Sequence, residues 1–287
     1  MRHVITLSTI PPRFGSLGPT LLSLRAQSSR PEAIEVYIPK GYRRFPDWGG
    51  GLPEVPEGVR IVRSDEDHGP ATKILPAARA YRGQEVELLY VDDDHVYGRD
   101  WAAKSLALRK AHPEAVICAG ATTVDRLGVR WKAKEPLPRA VLAPPHALQL
   151  GFQLRLALFR LRGGKVTDRT LFPRFRKVES SGYADIAEGY AGVGIRPDFL
   201  DDAAYAIPAV VWAVDDVWLS GHYARLGIPV WADKELNLAR AVLQSSRAEA
   251  LNRAVIDGAG RDAANRACID HMRRTYGIWG GVATQST

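Results

Sequence analysis

The stretch LLYVDDDHVYG, residues 88–98, sets an apolar run directly against three consecutive aspartates. VELLYV (86–91) has no polar alternation, as in a strand covered on both faces of a parallel sheet. Like charges placed side by side repel, so an acidic triplet at a strand end is costly unless something offsets it. Side chains alternate faces in an extended chain. Asp92 and Asp94 are therefore expected to point one way and Asp93 the other. Two neighbouring carboxylates make a hard oxygen site for Mg²⁺ or Mn²⁺, and such a cation can bridge a diphosphate and stabilise its charge as it leaves. The plainer alternative is an acidic turn that caps a helix beginning near Trp101, because aspartate is common in turns.

The flanking sequence supports the parallel-sheet reading. HVITLST (3–9), IEVYIP (34–39), VRIVRS (59–64) and AVICAG (115–120) read as strands. Between them, Leu17, Leu21, Leu22 and Leu24 share a helical face, KILPAARAY (73–81) suggests a short helix bent or ended near Pro76, and WAAKSLALRKA (101–111) a longer one. GYRRFPDWGGGLPEVPEG (41–58) is a loop by its glycines and prolines. Strands alternating with helices predict an α/β fold, a mainly parallel sheet flanked by helices, with ligands at the carboxyl ends of the strands.

The second half is less regular. DDVWLSGHYARLGIPVW (215–231) predicts a helix, a stop at Gly227 and a strand, and helical patterns recur near 243–257 and 261–276. In ALQLGFQLRLALFRL (147–161) leucines alternate as in a strand, while the length and lack of β-branching also allow a helix. The tail 281–287 is expected to be disordered. The chain has 287 residues and a net charge of +7, placed unevenly. Residues 126–177 hold 13 Lys and Arg but only two acids, Glu135 and Asp168. That segment implies an anionic partner or surface. Only Cys118 and Cys268 are present and no run is apolar enough to span a bilayer, so the expectation is a cytoplasmic protein without a disulfide framework.

LLYVDDDHVYG resembles the metal-binding D-x-D motif of nucleotide-sugar-dependent glycosyltransferases of the GT-A fold. VITLSTIPPR (4–13) resembles their first strand and nucleotide-contacting loop, and DHGPATKILPA (67–77) the Gly/Lys segment beside the nucleotide. GYAGVGIRP (189–197) resembles the glycine-bearing loop that lines the donor sugar, and VDDVWLSGHYARLG (214–227) the acidic helix start that supplies the base of inverting members. The resemblance covers most of residues 3–231. It implies a donor half at 1–100 and an acceptor half at 101–280, with a basic insertion near 133–180 that matches no motif. It implies Thr9, Arg13, Lys73, Asp92, Asp93 and Gly192 at the donor, Asp92 and Asp94 on Mn²⁺ or Mg²⁺, and Asp216 as catalytic base preceded by Asp215. A third metal ligand in that family is often a histidine near the C-terminus, and His271 is the candidate here.

The residue chemistry has its own readings. Gly69 and Pro70 can open a helix whose free N–H groups, with Lys73, favour a phosphate; the alternative is a simple helix start with an exposed lysine. Arg13 can reach a phosphate or lie in solvent. Asp215 or Asp216 can serve merely as a helix N-cap, whereas a carboxylate among Val214, Val217 and Trp218 can have its pKa raised toward base catalysis. Trp48, Trp101, Trp212 and Trp218 can stack on a sugar or simply be buried; His222 and His95 are weaker ligand candidates. The expected activity is metal-dependent, inverting sugar transfer from a nucleotide-diphosphate sugar to a hydroxyl of a glycan or lipid-linked acceptor, in glycan or polysaccharide synthesis. The basic segment is either a flap over the acceptor cleft or a contact with an anionic membrane, at the inner face of the cytoplasmic membrane. Nucleic acid is not expected, for want of a recognised module. Two alternatives are a haloacid-dehalogenase-type phosphohydrolase, whose D-x-D-x-[TV] motif is formally matched by Asp92, Asp94 and Val96, and a non-catalytic membrane-docking relative. The first is disfavoured because that motif normally ends a first strand and here ends a fourth.

Overall fold

Val4, Ile5, Leu7, Leu88 and Leu89 have no solvent exposure at all, as runs this apolar require of strands covered on both faces. The structure is a computed structural model describing residues 1–163, 177–236, 239–241 and 260–281. Residues 164–176 of the basic segment, the helical pattern at 243–257 and residues 282–287 lie outside the described residues. The strands are β1 (His3–Ser8), β2 (Ala33–Pro39), β3 (Val59–Ser64), β4 (Glu87–Tyr90), β5 (His95–Val96), β6 (Val116–Cys118), β7 (Ala121–Thr122), β8 (Val141–Leu142), β9 (Val178–Ser180), β10 (Gly182–Ala184), β11 (Ile186–Ala187), β12 (Val193–Ile195), β13 (Val230–Ala232) and β14 (Arg240–Ala241). The helices are α1 (Gly18–Arg25), α2 (Leu75–Ala80), α3 (Trp101–Ala111), α4 (Leu150–Leu161), α5 (Asp215–Arg225) and α6 (Arg261–Tyr276).

Eight strands form one sheet in the order β10-β13-β6-β12-β4-β1-β2-β3. β1 pairs parallel with β2 and β4, β2 with β3, and β6 with β13. β12 is antiparallel to both neighbours, and β10 to β13. The fold is therefore α/β with a mainly parallel sheet, as expected. Both halves of the chain enter it, since β12 sits between β6 and β4.

Alternation along the strands divides the core into two layers. Ile5, Leu7, Leu89 and Ile117 pack with Leu17, with Leu21 and Leu24 of α1, and with Trp101 and Leu106 of α3. Val4, Leu88, Tyr90 and Val116 pack on the other side, with Leu75 of α2, Trp218 of α5 and Ile269 of α6. One local reading needs correcting, and one open alternative is decided. Pro76 lies at the start of α2, where a missing N–H costs nothing, so it begins that helix instead of bending or ending it. The 147–161 pattern forms a helix over most of its length, α4.

Gly192 sits at φ +86° where β12 begins, and a Cβ there would run into the Trp101 ring. This glycine allows close packing on α3, and it is not among the residues lining the cleft described below. Gly192→Ala should lower stability by about 1–3 kcal/mol through backbone strain and displacement of Trp101, read as a drop in urea midpoint with an unchanged m-value.

Candidate functional site

A cavity of about 310 Å³ opens at the carboxyl ends of β1, β2 and β4. The antiparallel β12 matters here: Val193 pairs with Tyr90, so the loop entering β12 arrives at the end where β4 delivers its aspartates. The start of α5 and Arg261, the first residue of α6, complete the wall.

The aspartates do not follow the alternation expected of a strand, because β4 ends at Tyr90 and residues 93–94 turn. Each carboxylate goes to its own partner. Asp93 is buried; Thr9 Oγ1 donates to its Oδ2 at 2.6 Å and Arg13 Nη1 to its Oδ1 at 2.6 Å. Arg13 also stands 3.4 Å from Asp94, whose other oxygen meets His95 Nδ1 at 2.6 Å. Asp92 Oδ1 lies 2.5 Å from Lys73 Nζ, which is also 2.8 Å from Asp215 Oδ2. Arg13 is thus engaged and not solvated, and Lys73, with 4% of its side chain exposed, is not a surface lysine.

Lys73 ends a 3-10 turn, Gly69–Lys73. The backbone N–H of Gly69 donates to Asp67 Oδ1 at 2.9 Å, so the turn's leading N–H is already bonded. Burial alone would discharge Lys73. Asp215, Asp92 and Asp216 outweigh it and hold the ammonium charged.

Asp215 and Asp216 both lie in the first turn of α5, and the N-cap is Val214 with no side-chain cap bond. Neither aspartate is a cap, and both face the cavity. Gly189 N donates to Asp216 Oδ1 at 2.8 Å, and Arg261 Nη2 stands 3.5 Å from Oδ2. A Cβ at Gly189 would collide with Lys73 and come within 3.1 Å of that carboxylate, so only glycine allows this approach. Burial first, and then the charge of Asp215, raise the Asp216 pKa to about 7, against the pull of Lys73 and Arg261. Burial likewise raises Asp93 to about 6, with Arg13 opposing. Asp94 is lowered: burial works against its charge, but the His95 hydrogen bond and charge and Arg13 prevail.

His271 is not brought to the cleft. It lies on α6 with its ring 5.8 Å from Trp218, Thr275 Oγ1 is 3.4 Å from its Nε2, and it is not among the residues lining the cavity. Among the described residues no three His, Cys, Asp or Glu side chains stand close enough to cage a metal. Mg²⁺-type sites, however, use one or two carboxylates and take the rest from phosphate and water. Asp92 and Asp94 suit that donor set, in a cleft where Asp92, Asp93, Asp94, Asp215 and Asp216 crowd Arg13, Lys73 and Arg261.

Trp212 lines the cavity with Tyr42, Phe45 and Tyr190, whereas Trp101 and Trp218 are core and Trp48 packs edge-on to Phe14 and Tyr42. His222 is buried, and burial pushes its pKa down to about 3. Sequence reasoning missed Arg261, Tyr42 and Phe45. One signal existed for Arg261: a cation at a helix N-terminus opposes the helix dipole, and its presence there points to a carboxylate partner.

No family model and no curated protein matches the chain. Solved structures of S. aureus TarS share its shape loosely. The structure of TarS 1–349 is 11% identical with a TM-score of 0.41, over 84% of this chain and 60% of that one. Its complex with UDP is 11% identical with a TM-score of 0.41, over 97% and 72%. Its complex with UDP-GlcNAc is 12% identical with a TM-score of 0.40, over 84% and 58%. A likeness of this degree assigns neither family nor activity.

The folded chain holds the Asp216 proton more tightly than the unfolded chain does. The resulting stability is full below the ordinary carboxylate range and is lost as pH rises through about 7. Between about pH 5 and pH 8 the protein should lose on the order of 2–3 kcal/mol more than Asp216→Asn, measured by urea melts of both across that range.

Proposed function

We propose that this chain is an inverting GT-A-type glycosyltransferase that moves a sugar from a nucleoside-diphosphate sugar to a hydroxyl group. The observation that carries the reading is Asp216: a carboxyl with 16% of its side chain exposed and a pKa raised to about 7, in the same cavity as Lys73 and Arg13. A base tuned near neutrality is suited to take a hydroxyl proton. Cations lining the same cavity are suited to a departing phosphate.

The acceptor O–H gives its proton to the Asp216 carboxylate as its oxygen attacks the anomeric carbon. The bond from that carbon to the diphosphate oxygen breaks, and the electron pair leaves with the nucleoside diphosphate. A single in-line displacement inverts the anomeric centre. Gly189 N–H and Arg261 hold the Asp216 carboxylate in place. Lys73 and Arg13 meet the negative charge of the leaving group, and the Asp215 charge keeps Lys73 protonated. Mn²⁺ or Mg²⁺ held by Asp92 and Asp94 would neutralise diphosphate oxygens. Thr9 serves the donor indirectly, by fixing Asp93. Tyr42, Phe45, Tyr190 and Trp212 offer stacking faces to base or sugar. A glycan or lipid-linked hydroxyl is the acceptor class, and glycan or polysaccharide synthesis the setting.

Thermal melts with a panel of nucleoside diphosphates test the donor. At least one should raise the melting temperature by mass action, more so with Mn²⁺, and Asp94→Asn should remove the Mn²⁺-dependent part. Absence of any response, with and without the metal, would sink the reading.

The base has its own test. Asp216→Asn should keep nucleotide stabilisation while losing roughly 10²–10⁴-fold in kcat. The wild-type kcat/KM should rise with pH to a plateau with a midpoint near 7, and that limb should be missing from the variant's residual rate.

A further inference from the structure

The helix α4 turns one apolar face outward. At 3.6 residues per turn, Leu150, Leu154, Leu158 and Leu161 fall on one side, and they are 85%, 63%, 44% and 82% exposed. Phe152 is buried on the opposite side, with Leu156 and Phe159 half-buried beside it. A contiguous row of solvent-facing leucines on one helix is the kind of apolar patch that marks an interaction surface.

Charge says what covers it. Arg155 and Arg162 lie along one edge of the leucine face and Arg160 along the other, and no acidic residue occurs between Glu135 and Asp168. A second copy of the chain would set arginine against arginine across a twofold axis. The exposed row itself is four leucines with no aromatic side chain among them, and a bilayer requires no orienting contact. Leucines flanked by snorkelling arginines are what an anionic headgroup layer takes up. No helix among the described residues is long and apolar enough to cross a membrane, so α4 can lie on a bilayer but not span it.

We propose that α4 is an interfacial anchor that seats the chain on an anionic lipid surface. The arm that carries it is fastened beside the cleft. β8 pairs with β9, Arg126 donates to the carbonyls of Leu142 and Ala143 at 3.0 and 3.2 Å, and Lys177 pairs with Glu188 at 3.2 Å. Glu188 precedes Gly189, the residue that touches Asp216. The inference rests on this arm and not on the reaction proposed above, so the two fail separately.

The test is co-sedimentation of the full chain with phosphatidylcholine vesicles, with and without phosphatidylglycerol. The chain should bind only the anionic vesicles, less so in high salt. Leu154→Gln/Leu158→Gln should weaken binding roughly tenfold or more, and Arg160→Gln/Arg162→Gln should weaken it as well. These side chains are exposed, so both variants should melt as the wild type does, which separates lost docking from lost folding. Equal binding to neutral vesicles, or binding to neither, overturns the proposal. So does a concentration-dependent dimer that the leucine variant abolishes.

Discussion

One buried ammonium, Lys73 between Asp92 and Asp215, ties together the segments that make the cleft. Asp92 comes from the end of β4, Asp215 from the start of α5, and Lys73 from the 3-10 turn that precedes α2. A buried charge is tolerated only while its partners are in place, and removing one partner leaves another uncompensated. The position of α5 is in this way coupled to the end of the sheet. Gly189 passes so close to Lys73 that no side chain fits there, which brings the β12 loop against the same charge.

Around that pair the cleft is built on unequal carboxylates. Asp93 and Asp94 share Arg13 yet are pushed in opposite directions: Asp93 is buried with one arginine, while Asp94 has His95 as well. Asp216 is raised beside Asp215, which spends its charge on Lys73. Groups of one chemical type driven apart by environment are the pattern of acid–base chemistry, and ion-pair networks perturb pKa values as well, so the geometry of the cleft has to accompany the shift. A contrast lies at the other end of the sheet, where buried Arg109 donates to Glu87 and to the carbonyls of His112, Pro113 and Ala115. That arginine is fully occupied in holding β4 to α3.

The arm bearing α4 follows another logic. Elsewhere, leucine-rich faces turn inward to α1, α3 and the sheet. On α4 the inward side holds Phe152 and the outward side the leucines. Periodicity finds an apolar face but cannot say whether that face meets the core. The strand-like spacing of leucines between 148 and 158 arose because a helix with apolar residues on both sides also shows them at every second position.

By itself the sequence determined the layered sheet and most of its elements. Buried strands such as ELLY and amphipathic helices such as 101–111 carry their periodicity locally, and the helix beginning at Asp215 and the stop near Gly227 were legible for the same reason. The aspartates and Lys73 stood out because charge beside apolar sequence is expensive. What only the tertiary structure decided was the pairing. Lys73 on Asp92 and Asp215, Arg261 on Asp216, and His271 away from the cleft depend on contacts between segments distant in sequence. No local pattern encodes them, because a carboxylate's partner and pKa are set by whichever chain folds against it.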